Sequence, residues 1–211
     1  MIKICILGSD GVPGGVSNYL LNLINFTKYS SINYIIFGKN LNYFKKNLKS
    51  DYKFVDFKIN YNFLNFFFII LDLKKKLIFY KIKIIHAHTQ RAAFLACLIK
   101  YIFFLKDLRI IYTPHGFRHS QLFSIKYFIH LLIEKFILNI INHIILISRD
   151  ELLILKSLRK IEISKTFIPT AIPRIKYKKS ISLKKKLKIK KDSKIILMCG
   201  RRIIFNKELN N

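Results

Sequence analysis

The sequence is poor in the residues that staple, break or acidify a chain: three cysteines, four prolines, seven glycines and 11 Asp plus Glu in 211 residues. Cys5, Cys97 and Cys199 lie far apart, each in an apolar run and with no CxxC spacing. That excludes a disulfide framework and fits a reducing compartment, the cytoplasm. No apolar run approaches the ~20 residues that a spanning helix needs. The greasiest windows, residues 63–73 and 94–105, are broken by Asn65 and Asp72 and by Lys100. Any membrane contact is expected to be peripheral, on the inner face of the plasma membrane. Met1-Ile2-Lys3 runs straight into strand-like sequence, so no secretory signal is expected. An internal repeat is absent, and so is a dinucleotide fingerprint. The glycine loop reads GxxGG, and the strand after it ends in Gly38-Lys39, where an NAD enzyme would place an acid.

The shortage of acids sets the charge. Against 11 acidic residues stand 39 Lys plus Arg, a formal net charge of +28, so an anionic partner is electrostatically favoured. A nucleotide diphosphate, an anionic membrane surface and nucleic acid all qualify. Fifteen of the cations lie between Lys156 and Lys194, facing only Glu162 and Asp192; a solvated linker and helix is the plainer reading of that run. With 52% hydrophobic residues and 14% aromatics the chain has the material for a folded core.

What is present is an alternation. Short apolar, Ile-rich runs at residues 2–7, 34–37, 52–57, 83–87, 108–113 and 143–147 read as buried strands. Helical spacing occupies residues 16–27, 63–80, 91–104 and 122–141. Strand and helix in turn predict βαβ units, hence an α/β fold with a Rossmann-like parallel sheet flanked by helices. The helix at 122–141 is apolar nearly all round, with a polar stripe of Lys126, His130 and Glu134, and is expected to be largely buried. Ser148 followed by Glu151 reads as a capping box. An extended, proline-containing stretch at 166–173 marks the expected boundary between a domain over residues 1–170 and a linker with one strand, residues 195–199, over 171–211.

The chemistry-bearing residues fall where such strands end. Gly14 and Gly15 lie between the first strand and the first helix, where glycine lets backbone N–H groups approach a phosphate and a helix N-terminus adds partial positive charge. His88 and Arg91 follow the run Ile84-Ile85-His86-Ala87, and His115 follows Tyr112-Thr113-Pro114. His86 is read as facing the other side of its strand, in a structural role. His86, His88, His115 and His119 could suggest zinc. Only Cys97 and Asp107 accompany them, however, so no metal site is expected.

Taken together, Gly14-Gly15-Val16, HAHTQRAAFLA, YTPHGF, IILISRDE, IPTAIP and CGRRIIFNK resemble the family 4 glycosyltransferases, retaining enzymes of the two-Rossmann-domain GT-B architecture. The resemblance places the first 170 or so residues as the N-terminal, acceptor-side half. It is especially close to transferases that build bacterial surface polysaccharides and glycolipids. It implies transfer from a nucleotide-sugar donor to a lipid-linked or saccharide acceptor, with no obligatory cofactor or metal. It also implies roles for His115 beside the donor sugar, and for Arg201 and Lys207 on the diphosphate. Glu208 departs from the family pattern, which prefers glycine there. The family's paired glutamates have no counterpart in the sequence, so a truncated second domain and little activity from this chain alone are expected. The contrasting reading is a non-catalytic nucleic-acid or membrane-binding protein on the same scaffold. No DNA or RNA motif accompanies it, and no specific nucleic-acid partner is expected.

Overall fold

The computed structural model describes residues 1–9, 12–27, 31–50, 52–58, 63–117, 125–158, 163–170, 187–190 and 192–196. The chain divides into two compact units, Met1–Pro173 and Arg174–Asn211. In the second, residues 187–190 and 192–196 carry no helix or strand. Ile195 and Ile196 thus lie outside regular structure, and the rest of the expected last strand, with Cys199, Arg201, Lys207 and Glu208, lies outside the described residues.

The first unit is one parallel sheet. Its strands are β1 (Ile2–Ser9), β2 (Ile32–Gly38), β3 (Lys53–Asp56), β4 (Ile84–Ala87), β5 (Arg109–Tyr112), β6 (His143–Leu146) and β7 (Lys165–Phe167), in spatial order β3-β2-β1-β4-β5-β6-β7. Every neighbouring pair is parallel. The helices are α1 (Gly15–Phe26), α2 (Asn42–Asn47), α3 (Phe63–Phe79), α4 (Gln90–Ile102), α5 (Ile125–Ile140) and α6 (Arg149–Ser157).

Alternation along each strand splits the core into two layers. Cys5, Leu7, Ile85, Ala87, Ile110 and Tyr112 point to the face that packs α3, α4, α5 and α6, whereas Ile6, Tyr34 and Ile36 meet Leu20, Ile24 and Phe44 of α1 and α2. Cys5 and Cys97 are wholly buried, and burial pushes both thiols up. The strand order reverses between β1 and β4, so the loops leaving these two strands diverge. In open α/β sheets that divergence opens the crevice that takes ligands.

Helix α5 departs from expectation. Its stripe at i, i+3, i+4 and i+7, Ile125, Phe128, Ile129 and Leu132, is exposed, while Glu134 is only 3% exposed. His130 and Glu134 of the polar stripe turn inward because Gln90, at the start of α4, supplies partners. Its Nε2 donates to Glu134 Oε2 (2.7 Å) and to the His130 carbonyl (3.0 Å), and its Oε1 pairs with His130 Nδ1 (2.8 Å). Only the later turns, with Ile137 and Leu138, are buried as an apolar face.

Candidate active site at the carboxyl edge

The loops leaving β1, β4, β5 and β6 meet at one edge. Gly8 sits at a φ of +104°, and a Cβ there would lie 2.8 Å from Ala92 Cβ and 3.0 Å from Thr89 Oγ1. Glycine is required at this point both for the left-handed backbone and for the approach of β1 to the first turn of α4. The sequence reading overlooked it, although a glycine closing a strand was the available signal. Thr89 caps α4, its Oγ1 accepting from the Ala92 N–H (3.2 Å).

Gly14 and Gly15 lie at the start of α1. Gly14 has extended backbone, and a Cβ on Gly15 would meet nothing within 4 Å. Neither glycine is demanded by strain or crowding; what they leave is open space in front of the helix. No side chain caps α1 and no acid occupies its first turn, so its leading N–H groups and positive dipole end face that space. Ser17 Oγ donates to the Val12 carbonyl (2.7 Å) and ties the loop to the helix.

Beside Tyr19 of α1 cluster three imidazoles, His86 and His88 buried and His115 half-buried. The His88 backbone N–H donates to the Leu7 carbonyl (2.9 Å), fixing it beside β1. His88 Nδ1 and His115 Nε2 share a hydrogen bond of 3.1 Å, and Tyr19 of α1 sets its ring edge-on to His115 with centroids 4.8 Å apart. Gly15, through its helix, and His115 therefore converge at the same end of the sheet. His86 does not face away: residues two apart in a strand share a face, and its ring lies 3.9 Å from that of His88. Its Nε2 pairs with Thr113 Oγ1 (2.9 Å), which keeps it a buried, structural histidine. Arg91 is exposed on the first turn of α4. His119 lies outside the described residues. Among those described, no group of three or more His, Cys, Asp or Glu is arranged to hold a metal ion.

The three imidazoles are neutral at physiological pH. Burial lowers His115 to about 4; burial, with His115 and His143 adding, lowers His86 to about 3. His88 is held well below its ordinary value by burial and by its two histidine neighbours, and its Nε2 is buried without a partner. With His86 and His88 buried, the cluster presents to its surroundings one half-buried, uncharged imidazole, His115, rather than cations.

His115 is itself left-handed, with a φ of +54°, and Gly116 follows at +98°. That turn is held by Glu151, 2% exposed, whose Oε1 accepts from the Gly116 N–H (2.6 Å) and Oε2 from the Ile147 N–H (2.7 Å). Ser148 caps α6 as expected, its Oγ accepting from the Glu151 N–H (3.2 Å). The glutamate, however, does not complete the reciprocal box. It bridges β6 to the turn that carries His115, a long-range contact that local spacing does not reveal.

Residues 13–173 match the model of the family described as Glycosyltransferase Family 4. The chain belongs to glycosyltransferase family 4. Its fold is shared with solved structures at low identity. HepE of Anabaena, in complex with UDP and glucose, superposes with a TM-score of 0.61 at 15% identity, over 82% of this chain and 45% of that one. Sucrose-phosphate synthase of Thermosynechococcus elongatus gives 0.59 at 14%, over 80% and 48%. MnaA of S. aureus with UDP gives 0.57 at 15%, over 79% and 43%. The family 4 chain thus spans about half the length of these proteins, and the shared part is the N-terminal Rossmann-like half of the GT-B fold. No curated protein matches the sequence. No helix among the described residues is long and apolar enough to cross a membrane.

Proposed function

We propose that this family 4 chain is the acceptor-side lobe of a retaining glycosyltransferase. It moves a sugar from a nucleotide-sugar donor to a lipid-linked or saccharide acceptor in surface polysaccharide or glycolipid synthesis, at the anionic inner face of the cytoplasmic membrane. The supporting observation is the convergence, at the β1/β4 switch point, of the uncapped start of α1 with the neutral His88–His115 pair. Similar structures holding UDP support the donor class.

The chemistry follows from the groups present. Breaking a sugar–diphosphate bond builds positive charge on the sugar and negative charge on the leaving diphosphate, and preorganised donors stabilise the latter. The amides around Gly14 and Gly15 supply such donors from this lobe. Residues 171–211 begin the second lobe in this reading, and there Arg201 and Lys207 supply cations suited to phosphate oxygens. In this reading His115, uncharged and on a turn held by Glu151, reads the sugar's hydroxyls, with His88 behind it and Arg91 at the margin. A neutral imidazole can accept from a hydroxyl without adding charge beside an oxocarbenium-like carbon.

Saturation-transfer NMR with a panel of nucleotide sugars, on this chain and on a version extended with a complete second lobe, tests the reading. One donor is expected to receive saturation on its sugar protons in the extended protein, with His115→Ala abolishing that transfer and this chain alone showing weak binding and no turnover. Absence of binding by any nucleotide sugar to the extended protein rejects it.

A further inference from the structure

At the opposite, amino edge of the sheet lies a cavity of about 430 Å³ that none of the chemistry above uses. Its floor is apolar, with Leu77, Ile82, Leu105 and Leu108, and its mouth carries Lys81, Lys83 and Lys106 against the single acid Asp107. Around it stand side chains that a solvated surface does not call for: Phe104 is 81% exposed, Phe79 75% and Ile78 63%.

The backbone marks the same place. Helices α3 and α4 both end in a 6→1 hydrogen bond, Ile82 N–H to the Leu77 carbonyl (2.9 Å) and Leu105 N–H to the Lys100 carbonyl (3.1 Å). The left-handed residue of such an ending is usually glycine. Here it is Lys81 (φ +54°) in one helix and Phe104 (φ +50°) in the other. Both strained positions line the cavity, one with a cation and one with an aromatic ring.

We infer that this amino edge is the surface by which the protein docks on an anionic bilayer, with apolar lipid entering the cavity and Lys81, Lys83 and Lys106 meeting headgroup phosphates. This rests on the membrane partner of the proposed function and names its site. Aromatic side chains beside lysines suit the boundary between headgroups and acyl chains, and three lysines against one acid favour an anionic surface over a cationic one. The exposed stripe on α5 is the competing surface; among the described side chains one exposed cation, Lys135, one turn on, accompanies its four apolar residues. Docking by the amino edge turns the carboxyl edge away from the membrane. Helix α4 has 13 residues, so the two edges stand about 20 Å apart at 1.5 Å per residue. The acceptor hydroxyl is then carried on a glycan already extended from its lipid, not on a bare lipid phosphate.

The sequence contains no tryptophan, so Phe104→Trp and Phe128→Trp are single reporters of the two surfaces on the full chain. With vesicles of mixed phosphatidylcholine and phosphatidylglycerol, Phe104→Trp is expected to shift its emission to the blue and Phe128→Trp is not. Pure phosphatidylcholine is expected to leave both unchanged. Adding Lys81→Glu and Lys106→Glu to the Phe104→Trp chain is expected to weaken vesicle partitioning by roughly tenfold or more, with circular dichroism unchanged. A silent Phe104→Trp while the chain sediments with vesicles, an equal response to neutral lipid, or a response from Phe128→Trp instead each overturns the inference. Nucleotide-sugar binding, read separately by saturation transfer, keeps its failure distinct from that of the transferase reading.

Discussion

At the scale of single residues, the site depends on groups whose importance lies in what they hold. Glu151→Ala leaves the Gly116 and Ile147 amides without their buried acceptor, at about 1–3 kcal/mol for each such group. The expected outcome in urea denaturation is a loss of a few kcal/mol. Glu151→Gln, which keeps one acceptor, loses less but still moves the imidazole resonances of His115. Wild-type imidazole shifts in Glu151→Gln contradict a positioning role. Gly8→Ala meets both a left-handed φ and a 2.8 Å contact, so a loss of about 2 kcal/mol or more is expected in the same assay. The placing of His115 and the paired glycines at strand ends was legible in the sequence because strand-ending motifs are local. Glu151 and the contact of Gly8 with Ala92 were not, since each becomes visible only when distant segments are brought together.

The titrating groups also act at this scale, with His86, His88 and His115 as neighbours that influence one another. His86 and His115 are held down to about 3 and about 4 and His88 well below its ordinary value. The unfolded chain therefore binds protons that the native state refuses once pH falls below about 6.5. Each contributes stability that is complete above that pH and is lost on acidification, at up to ~1.4 kcal/mol per pH unit for a fully buried ring. Burial raises Glu134 to about 7, with the opposite sign: its contribution is complete below about 4.5 and declines as pH rises to 7. Three histidines outweigh one glutamate, so stability is expected to rise from pH 4.5 to 6.5. Glu134→Gln is expected to make that rise steeper, as measured by denaturation midpoints across the range; a flat or falling profile contradicts the burial of neutral imidazoles.

At the scale of elements, the six Ile-rich runs became strands within a residue or two of their expected limits, because period and β-branching report the local state directly. Two elements escaped. Helix α2 has six residues, too few to show a 3.6 period, and β7 has three, paired to β6 only at the sheet margin. Helix α5 is expected from the sequence to be largely buried, yet its stripe of Ile125, Phe128, Ile129 and Leu132 is exposed. Apolar content all round left its orientation open, and the choice was made by Gln90, forty residues earlier in the chain. The endings of α3 and α4 supply a test at this scale. Glycine relieves a left-handed residue, so Phe104→Gly is expected to raise stability by about 0.5–1 kcal/mol even as it removes a large side chain. Measured thermal unfolding that shows a loss instead means that the exposed ring packs where the structure leaves it free.

At the scale of the molecule, the alternation of strand and helix predicts a parallel sheet but not the order of its strands. Non-consecutive pairing of β1 with β4 has no local signature, and it is this pairing that creates the crevice. Net charge of +28 favours anions in general; in the proposed reading a diphosphate is assigned to the carboxyl edge and a bilayer to the amino edge. The most direct measurement is amide and imidazole chemical-shift mapping of the chain titrated with nucleotide sugars. Perturbations at Gly14, Gly15, Tyr19, His88 and His115, with the amino-edge residues from Leu77 to Lys83 and from Phe104 to Leu108 silent, are the expected result. Perturbations confined to any other surface contradict a donor-facing cleft at the β1/β4 switch point.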